Sequence, residues 1–350
     1  MNRIQFQTIA NEVGVNVRTI YRVMNNNGAV SDSTRKKVVN ALNRYGYLCV
    51  GQRKSENIVF DICKNEFTER IGIQLMQSLS MQDFKCIPTN HMENRERFMA
   101  AVSEASIVVM CSFPRQSLID EIKFANPDCV VINILGGNCG DVAIDSDDYL
   151  GGAIAARHLY VNGHRHVLVA SALDQPNHVD RCKSFQAEMM FLSPDCQVDF
   201  LEFVPGKDDA PVFWHRYFSS ERNLPTAIFC TMGGIAYYLP YYAAKFGIRI
   251  PEDISLVSYN RPVDSHFHSA SPGELFPLDS IVFEPEQIVA WGNYFILHRP
   301  LDTAGNPVHT LIRPKLVVNN TVKTLTAGWI YEAVSDNSYE KQKSKQFHID

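Results

Sequence analysis

Arg18 and Arg22 stand four residues apart in FQTIANEVGVNVRTIYRVMN, residues 6–25, a spacing that places both guanidinium groups on one face of a helix. A guanidinium can donate to O6 and N7 of guanine together, so two of them on a projecting helix can read a DNA major groove. Val17, Tyr21 and Asn25 share that outer face. The elements that would hold them are two short helices. Phe6, Ile9, Ala10 and Val13 recur at helical spacing and make one apolar face. Gly14 sits where the chain must turn with φ > 0, and Asn16 can cap the next helix. Ile20 and Val23 face inward, small Ala10 lets the helices cross closely, and Val15 plugs the corner. This is the pattern of a helix-turn-helix whose second helix enters the major groove. An ordinary helical hairpin is the alternative.

A third helix follows. Ser31 is a natural N-cap with Asp32 in the first turn. Thr34, Val38, Ala41, Leu42 and Tyr45 form an apolar stripe that Gly46 ends. Arg35, Lys36 and Lys37 either reach phosphate or form a solvated face.

The run TIANEVGVNVRTIYRVMNNNGAVSDSTRKKVVNALNRYGY resembles the DNA-binding headpiece of the lac-repressor family of bacterial transcription regulators. The resemblance rests on Ala10, Gly14, Val15, Thr19, Arg22, Val23, Asn25, Val30, Ser31, Thr34, Arg35, Val38, Gly46 and Tyr47 at fixed spacing. It implies that Val17, Arg18 and Arg22 meet base edges, with Val17 offering only apolar contact. Asn16, Thr19, Asn25, Ser31 and Thr34 are expected on phosphate, which positions a protein without specifying sequence. Thr8 and Tyr21 complete the expected DNA-facing set. The linker, residues 48–57, departs from the family: Cys49 and Val50 replace Pro-Asn, and Arg53 and Glu56 stand where an alanine and a minor-groove leucine would be. A glutamate cannot wedge base steps apart beside phosphate, so less operator bending is expected.

From Ile58 onward, apolar runs at 58–63, 85–89, 107–110, 129–134, 142–145, 167–171, 199–204, 227–230 and 254–259 alternate with helical stretches such as 66–81, 151–162 and 235–246. Continuous apolar strands between helices argue a parallel sheet covered on both faces. GGAIAARHLYVNGHRHVLVAS, PTAIFC and FGIRIPEDISLVSYN resemble the family's effector-binding core. The expected fold is therefore an all-α helix-turn-helix head, residues 1–47, on an α/β two-lobed core of the type I periplasmic-binding-protein kind, residues 58–325. Lobe 1 is expected over 58–147 and 280–305, lobe 2 over 148–279 and 306–325, with a polar tail at 326–350.

By the same resemblance Asn65, Phe67, Asp147, Arg181 and Asn260 are expected to meet a small-molecule effector, a sugar or sugar derivative, in the cleft of the core. Arg181 lies in an Arg-x-x-(Gly)-Phe pattern with Ser184 in place of the glycine. Two departures weaken a polyol reading. Met232-Gly233 replaces the family's Asn-Asp, and Asn260 replaces an aspartate.

Residues 1–57 hold nine Lys and Arg against three Asp and Glu, although the whole chain carries −5. A basic head on an acidic body suits one end that meets phosphate. Nine scattered cysteines without a CxxC pair argue against a disulfide scaffold or zinc site. No signal core and no apolar run near ~18 residues points to secretion or to a membrane, so a cytoplasmic protein without membrane partners is expected. Gly136–Gly140 lacks the Lys-Ser/Thr of a phosphate loop and reads as a turn. His164 and His166, His266 and His268, and Asp145, Asp147 and Asp148 lack the further ligands a metal site needs. No cofactor, metal or catalytic residue is expected, and no activated nucleophile pattern appears. The reading is a non-enzymatic repressor that binds a palindromic operator as a homodimer under effector control. The alternative is a DNA-tethered binding protein, or a regulator with a degenerate cleft that senses no sugar.

Overall fold

The computed structural model describes residues 3–24, 30–44, 57–63, 66–82, 84–173, 175–205, 207–220, 223–261, 277–298 and 307–325. The expectations for Asn25, Tyr45, Gly46, linker residues 48–56, Asn65, His266, His268 and the 326–350 tail lie outside these residues, while Asn57, expected to end the linker, opens the first strand of the body.

The head is three helices, α1 (Arg3–Val13), α2 (Val17–Met24) and α3 (Asp32–Arg44). Its core is Phe6, Ile9, Ala10, Ile20, Val23, Val38, Ala41 and Leu42, all but sealed from solvent. Each large member contributes about 1.5–3 kcal/mol of burial. Gly14 takes φ 71° at the turn, and the Val15 N–H donates back to the Ala10 carbonyl at 2.9 Å. Asn16 Oδ1 accepts from the Arg18 N–H at 2.8 Å and opens α2. Ser31 Oγ accepts from the Thr34 N–H at 3.3 Å and opens α3. Caps of this kind contribute ~1 kcal/mol each.

Beyond the head the chain runs β1 (Asn57–Ile62), α4 (Glu66–Ser80), β2 (Lys85–Thr89), α5 (Arg95–Ser103), β3 (Ile107–Cys111), α6 (Gln116–Ala125), β4 (Val130–Ile134) and β5 (Val142–Ser146). A second series follows: α7 (Asp148–Val161), β6 (His166–Ser171), α8 (Pro176–Leu192), β7 (Gln197–Glu202), α9 (Ala210–Ser219), β8 (Ala227–Cys230), α10 (Gly233–Lys245), β9 (Ser255–Tyr259) and β10 (Asp279–Val282). The chain ends its described course with α11 (Pro285–His298), β11 (Val308–Ile312) and β12 (Lys315–Val317).

Two six-stranded sheets result, ordered β11-β5-β4-β3-β1-β2 and β12-β10-β9-β8-β6-β7. All neighbours are parallel except β12, which runs antiparallel to β10. The chain divides into two compact units, Met1–Ser146 with Glu284–Ile312, and Asp147–Phe283 with Arg313–Asp350. In each sheet the order reverses beside the first strand of its series, between β1 and β3 and between β6 and β8. Doubly wound sheets bind ligands at the carboxyl ends of strands at such a switch point.

Strand bounds differ from expectation in instructive places. Residues 280–282 belong to the second sheet, not the first lobe, because β10 continues in parallel register on β9, Asp279 opposite Val257. Residues 308–312 belong to the first sheet, not the second lobe, because β11 pairs with β5, Val308 opposite Val142. Helix α7 begins at Asp148, earlier than 151, since Asp147 Oδ1 caps it by accepting from the Leu150 N–H at 2.9 Å. Strand β7 lies two residues before the expected 199–204; at the sheet's edge its half-exposed side chains give a weak apolar signal.

One carboxylate ties the second unit's late strands. Asp279 Oδ1 accepts from the N–H groups of Asn319 at 2.7 Å and Thr321 at 3.0 Å. Its Oδ2 lies 2.7 Å from His158 Nε2 on α7.

Candidate functional site

The surface of α2 is built by its own burial. Ile20 and Val23 close the head's core, and this turns Arg18 and Arg22 outward, both exposed. Tyr21 is 41% exposed and leans its ring on Phe6 at 5.2 Å between centroids. Val17 is half-buried against the core, so less of it is free for a groove than a fully outward position would give. Thr19 is half-buried, and Thr8 and Asn16 are exposed. The Asn16 carbonyl oxygen is spent on the cap, which leaves its amide N–H groups for an acceptor. Ser31 donates its hydroxyl proton to Thr34 Oγ1 at 2.8 Å. Of these two residues it is therefore Thr34 whose proton is available to a phosphate oxygen.

In the second unit, Arg181 projects from α8 and is only 4% exposed. Its Nε donates to Asp148 Oδ1 at 2.8 Å, and its Nη1 donates to the Thr231 carbonyl at 2.8 Å. Its Cζ lies 3.6 Å from the centre of the Tyr259 ring. Burial works to lower its pKa, but the Asp148 carboxylate and Tyr259 outweigh that and hold it above the ordinary arginine value. The charge is thus fully compensated inside the fold.

Two glycines make this packing possible. A Cβ on Gly151 would collide with the Tyr259 ring, and one on Gly152 with the Ser184 hydroxyl and the Arg181 carbonyl. Ser184, which stands where the resemblance expects a glycine, is accommodated because the facing position on α7 has given up its side chain instead.

Beside this pair runs a chain of neutral groups. His178, in the first turn of α8, places Nδ1 3.2 Å from Thr231 Oγ1, and Thr231 donates to Ser171 Oγ at 2.7 Å. Burial, with the nearby Arg181 adding to it, pushes the His178 pKa down to about 3. Ser171 ends β6 and Thr231 follows β8, which puts the chain at the second sheet's switch point.

Asn260, directly after β9, is half-buried with φ 64°, and its N–H donates to the Ile281 carbonyl at 2.8 Å. Asp147 serves as the α7 cap described above. Phe67, in the first unit, is half-buried at the start of α4, with Arg70 Cζ 5.9 Å from its ring centre. Asp148, Ser171, His178, Thr231 and Tyr259 carry no motif that marks them. The one available signal is position, since three of them close a strand or follow one directly.

Other constellations are structural. His164 is buried, with Nδ1 3.0 Å from Thr226 Oγ1 and Nε2 3.0 Å from the Lys323 carbonyl; burial pushes its pKa down to about 4. His166 pairs instead with Asp199 at 2.8 Å. Gly137 and Gly140 take positive φ in a bend. Among the described residues no group of three or more His, Cys, Asp or Glu is placed to hold a metal, and no helix is long and apolar enough to cross a membrane.

Residues 5–49 match the model of bacterial regulatory proteins of the lacI family, and residues 156–271 match a periplasmic-binding-protein-like domain. The HTH-type transcriptional repressor PurR of Histophilus somni (strain 129Pt) is 23% identical over 337 residues, spanning 91% of this chain and 98% of that protein. The solved lac repressor dimer bound to operator and the anti-inducer ONPF shares the fold with a TM-score of 0.63 at 17% identity, over 90% of this chain and 98% of that one. A LacI family transcriptional regulator from Enterococcus faecium with bound ribose has a TM-score of 0.62 at 17% identity, over 77% of this chain and all (100%) of that one. The head of this chain is thus a DNA-binding domain of the lacI family, and its two-sheet body has the periplasmic-binding-protein-like fold of that family's solved regulators.

Proposed function

We propose that the chain represses transcription by binding a roughly palindromic operator as a homodimer, under the control of a small molecule held at the carboxyl ends of the body's strands. The observation that carries this is the pair of outward arginines on α2, Arg18 and Arg22, on a helix whose opposite face closes the head's core. A single head of three helices presents too little surface for specific affinity. Two heads must meet half-sites about 34 Å apart, and an effector that alters their presentation alters operator affinity. The lac repressor dimer on its operator and the ribose-bound regulator support the same reading by fold.

A second reading has its own support. Arg181 and Asp147 are both engaged within the second unit, and Met232, Gly233 and Asn260 stand where carboxylates and an amide are expected, as a body that senses no sugar would show.

Selection from random duplex DNA with the full chain tests the first reading. The expected result is enrichment of two inverted half-sites, two chains per duplex, and an affinity that changes when an effector is added. Enrichment of an asymmetric site, or of none, overturns it. An operator affinity indifferent to sugars, nucleosides and their phosphates favours the second.

A further inference from the structure

We propose that His178 selects the effector by presenting a bare Nε2 acceptor, so that the ligand is an uncharged molecule offering an O–H or N–H donor. The inference rests on the effector-sensing reading above and names the chemistry of that ligand.

One proton sets the arrangement. Thr231 has a single hydroxyl proton, and it goes to Ser171 Oγ at 2.7 Å. Thr231 Oγ1 can then meet His178 Nδ1, 3.2 Å away, only by accepting. The imidazole proton must therefore sit on Nδ1, and Nε2 is left with its lone pair. Burial keeps the ring neutral, with its pKa pushed down to about 3. His178 is 6% exposed, yet Nε2 has no hydrogen-bond partner among the described residues and is not sealed from solvent. A ligand that covers this acceptor strips it of water, and an acceptor then left unmatched is costly, so the ligand must donate.

An anion is disfavoured twice over. Its acceptor oxygens would face a lone pair, and the cation beside this chain, Arg181, is already neutralised by Asp148. The position is the switch point between β6 and β8, where a doubly wound sheet offers its strand ends to ligands.

The test uses the full chain and two matched pairs of probes, ribose with ribose phosphate and adenosine with adenosine monophosphate, in calorimetric titration. The uncharged member of at least one pair is expected to bind ~10-fold or more tightly than its phosphate. His178→Phe is expected to lose ~10-fold in that affinity, and His178→Gln, whose carbonyl can accept, to keep most of it. Nitrogen-15 spectra of the free chain, assigned with the same variants, are expected to show Nε2 unprotonated. A phosphate that binds more tightly than its uncharged partner, a His178→Phe variant of unchanged affinity, or a protonated Nε2 overturns this inference alone. Absence of binding by all four probes overturns the sensing reading itself, and this inference falls with it.

Discussion

The arginines of the head and the arginine of the second unit are treated in opposite ways. Arg18 and Arg22 are exposed and have no carboxylate partner among the described residues. Arg181 is buried, paired with Asp148, bonded to a carbonyl and stacked on Tyr259. On the reading proposed above, the difference follows from the charge of what each region meets. A polyanion supplies its own charge and releases counterions, so the protein gains by offering bare guanidinium groups. A small uncharged ligand can supply nothing of the kind, and a buried cation must be neutralised before any ligand arrives.

The largest expected effect of this contrast is on stability. Arg181→Ala strips Asp148 of its partner and should cost ~3–5 kcal/mol, read by denaturant unfolding of the full chain. Asp148→Asn in the same chain should recover part of it. An Arg181→Ala variant as stable as the parent would break the contrast.

Next comes Arg22→Ala, which should leave stability within ~0.5 kcal/mol. It should lose ~1–3 kcal/mol of discrimination between operator and random duplex, keeping a weak, salt-sensitive residue of binding. Competition anisotropy measures this, and a discrimination left unchanged by the substitution would reassign the base reader.

A third effect, spread over a range of pH, concerns acid. His164, held neutral by burial, has its pKa lowered from 6.5 to about 4. The unfolded chain therefore takes up this proton first as the solution is acidified. The stability this residue confers is present above pH 6.5 and is lost as the pH falls towards 4. His178 acts in the same direction, whereas residues 1–57 contain no histidine. Unfolding followed by the fluorescence of Trp214, buried in the second unit's core, should show the slope. His164→Asn should flatten it, and an unchanged slope would assign the acid sensitivity elsewhere.

Much of the fold is legible in the sequence where periodicity and burial coincide. Phe6, Ile9, Ala10, Ile20 and Val23 could be placed from spacing alone because one face of each helix is sealed. The apolar runs that form β1, β3 and β8 are equally plain, β3 and β8 being apolar throughout and β1 broken only by Asn57 and Asp61. Helix α8 was not, because its sequence has no clean apolar stripe. Its inner face carries Arg181, Ser184 and His178, all buried, and the space for them comes from Gly151 and Gly152 on another helix. The site is less legible for the same reason. A motif marks Arg181, but Asp148, Thr231 and Tyr259 reach it from α7, the turn after β8 and β9, and no spacing along the chain encodes that meeting.

The late return of the chain to both sheets has a consequence for synthesis on the ribosome. β11 is the outer strand of the first sheet and β12 of the second, so a nascent chain that has already emitted β1 to β5 still carries an unfinished edge. The Asp279 carboxylate likewise waits for the N–H groups of Asn319 and Thr321. The head, whose core is drawn from residues 6–42, can condense early, since short-range contacts form before distant ones. The body must hold two open sheet edges until nearly its whole length has emerged, and in that interval it is most exposed to mispairing and to chaperones.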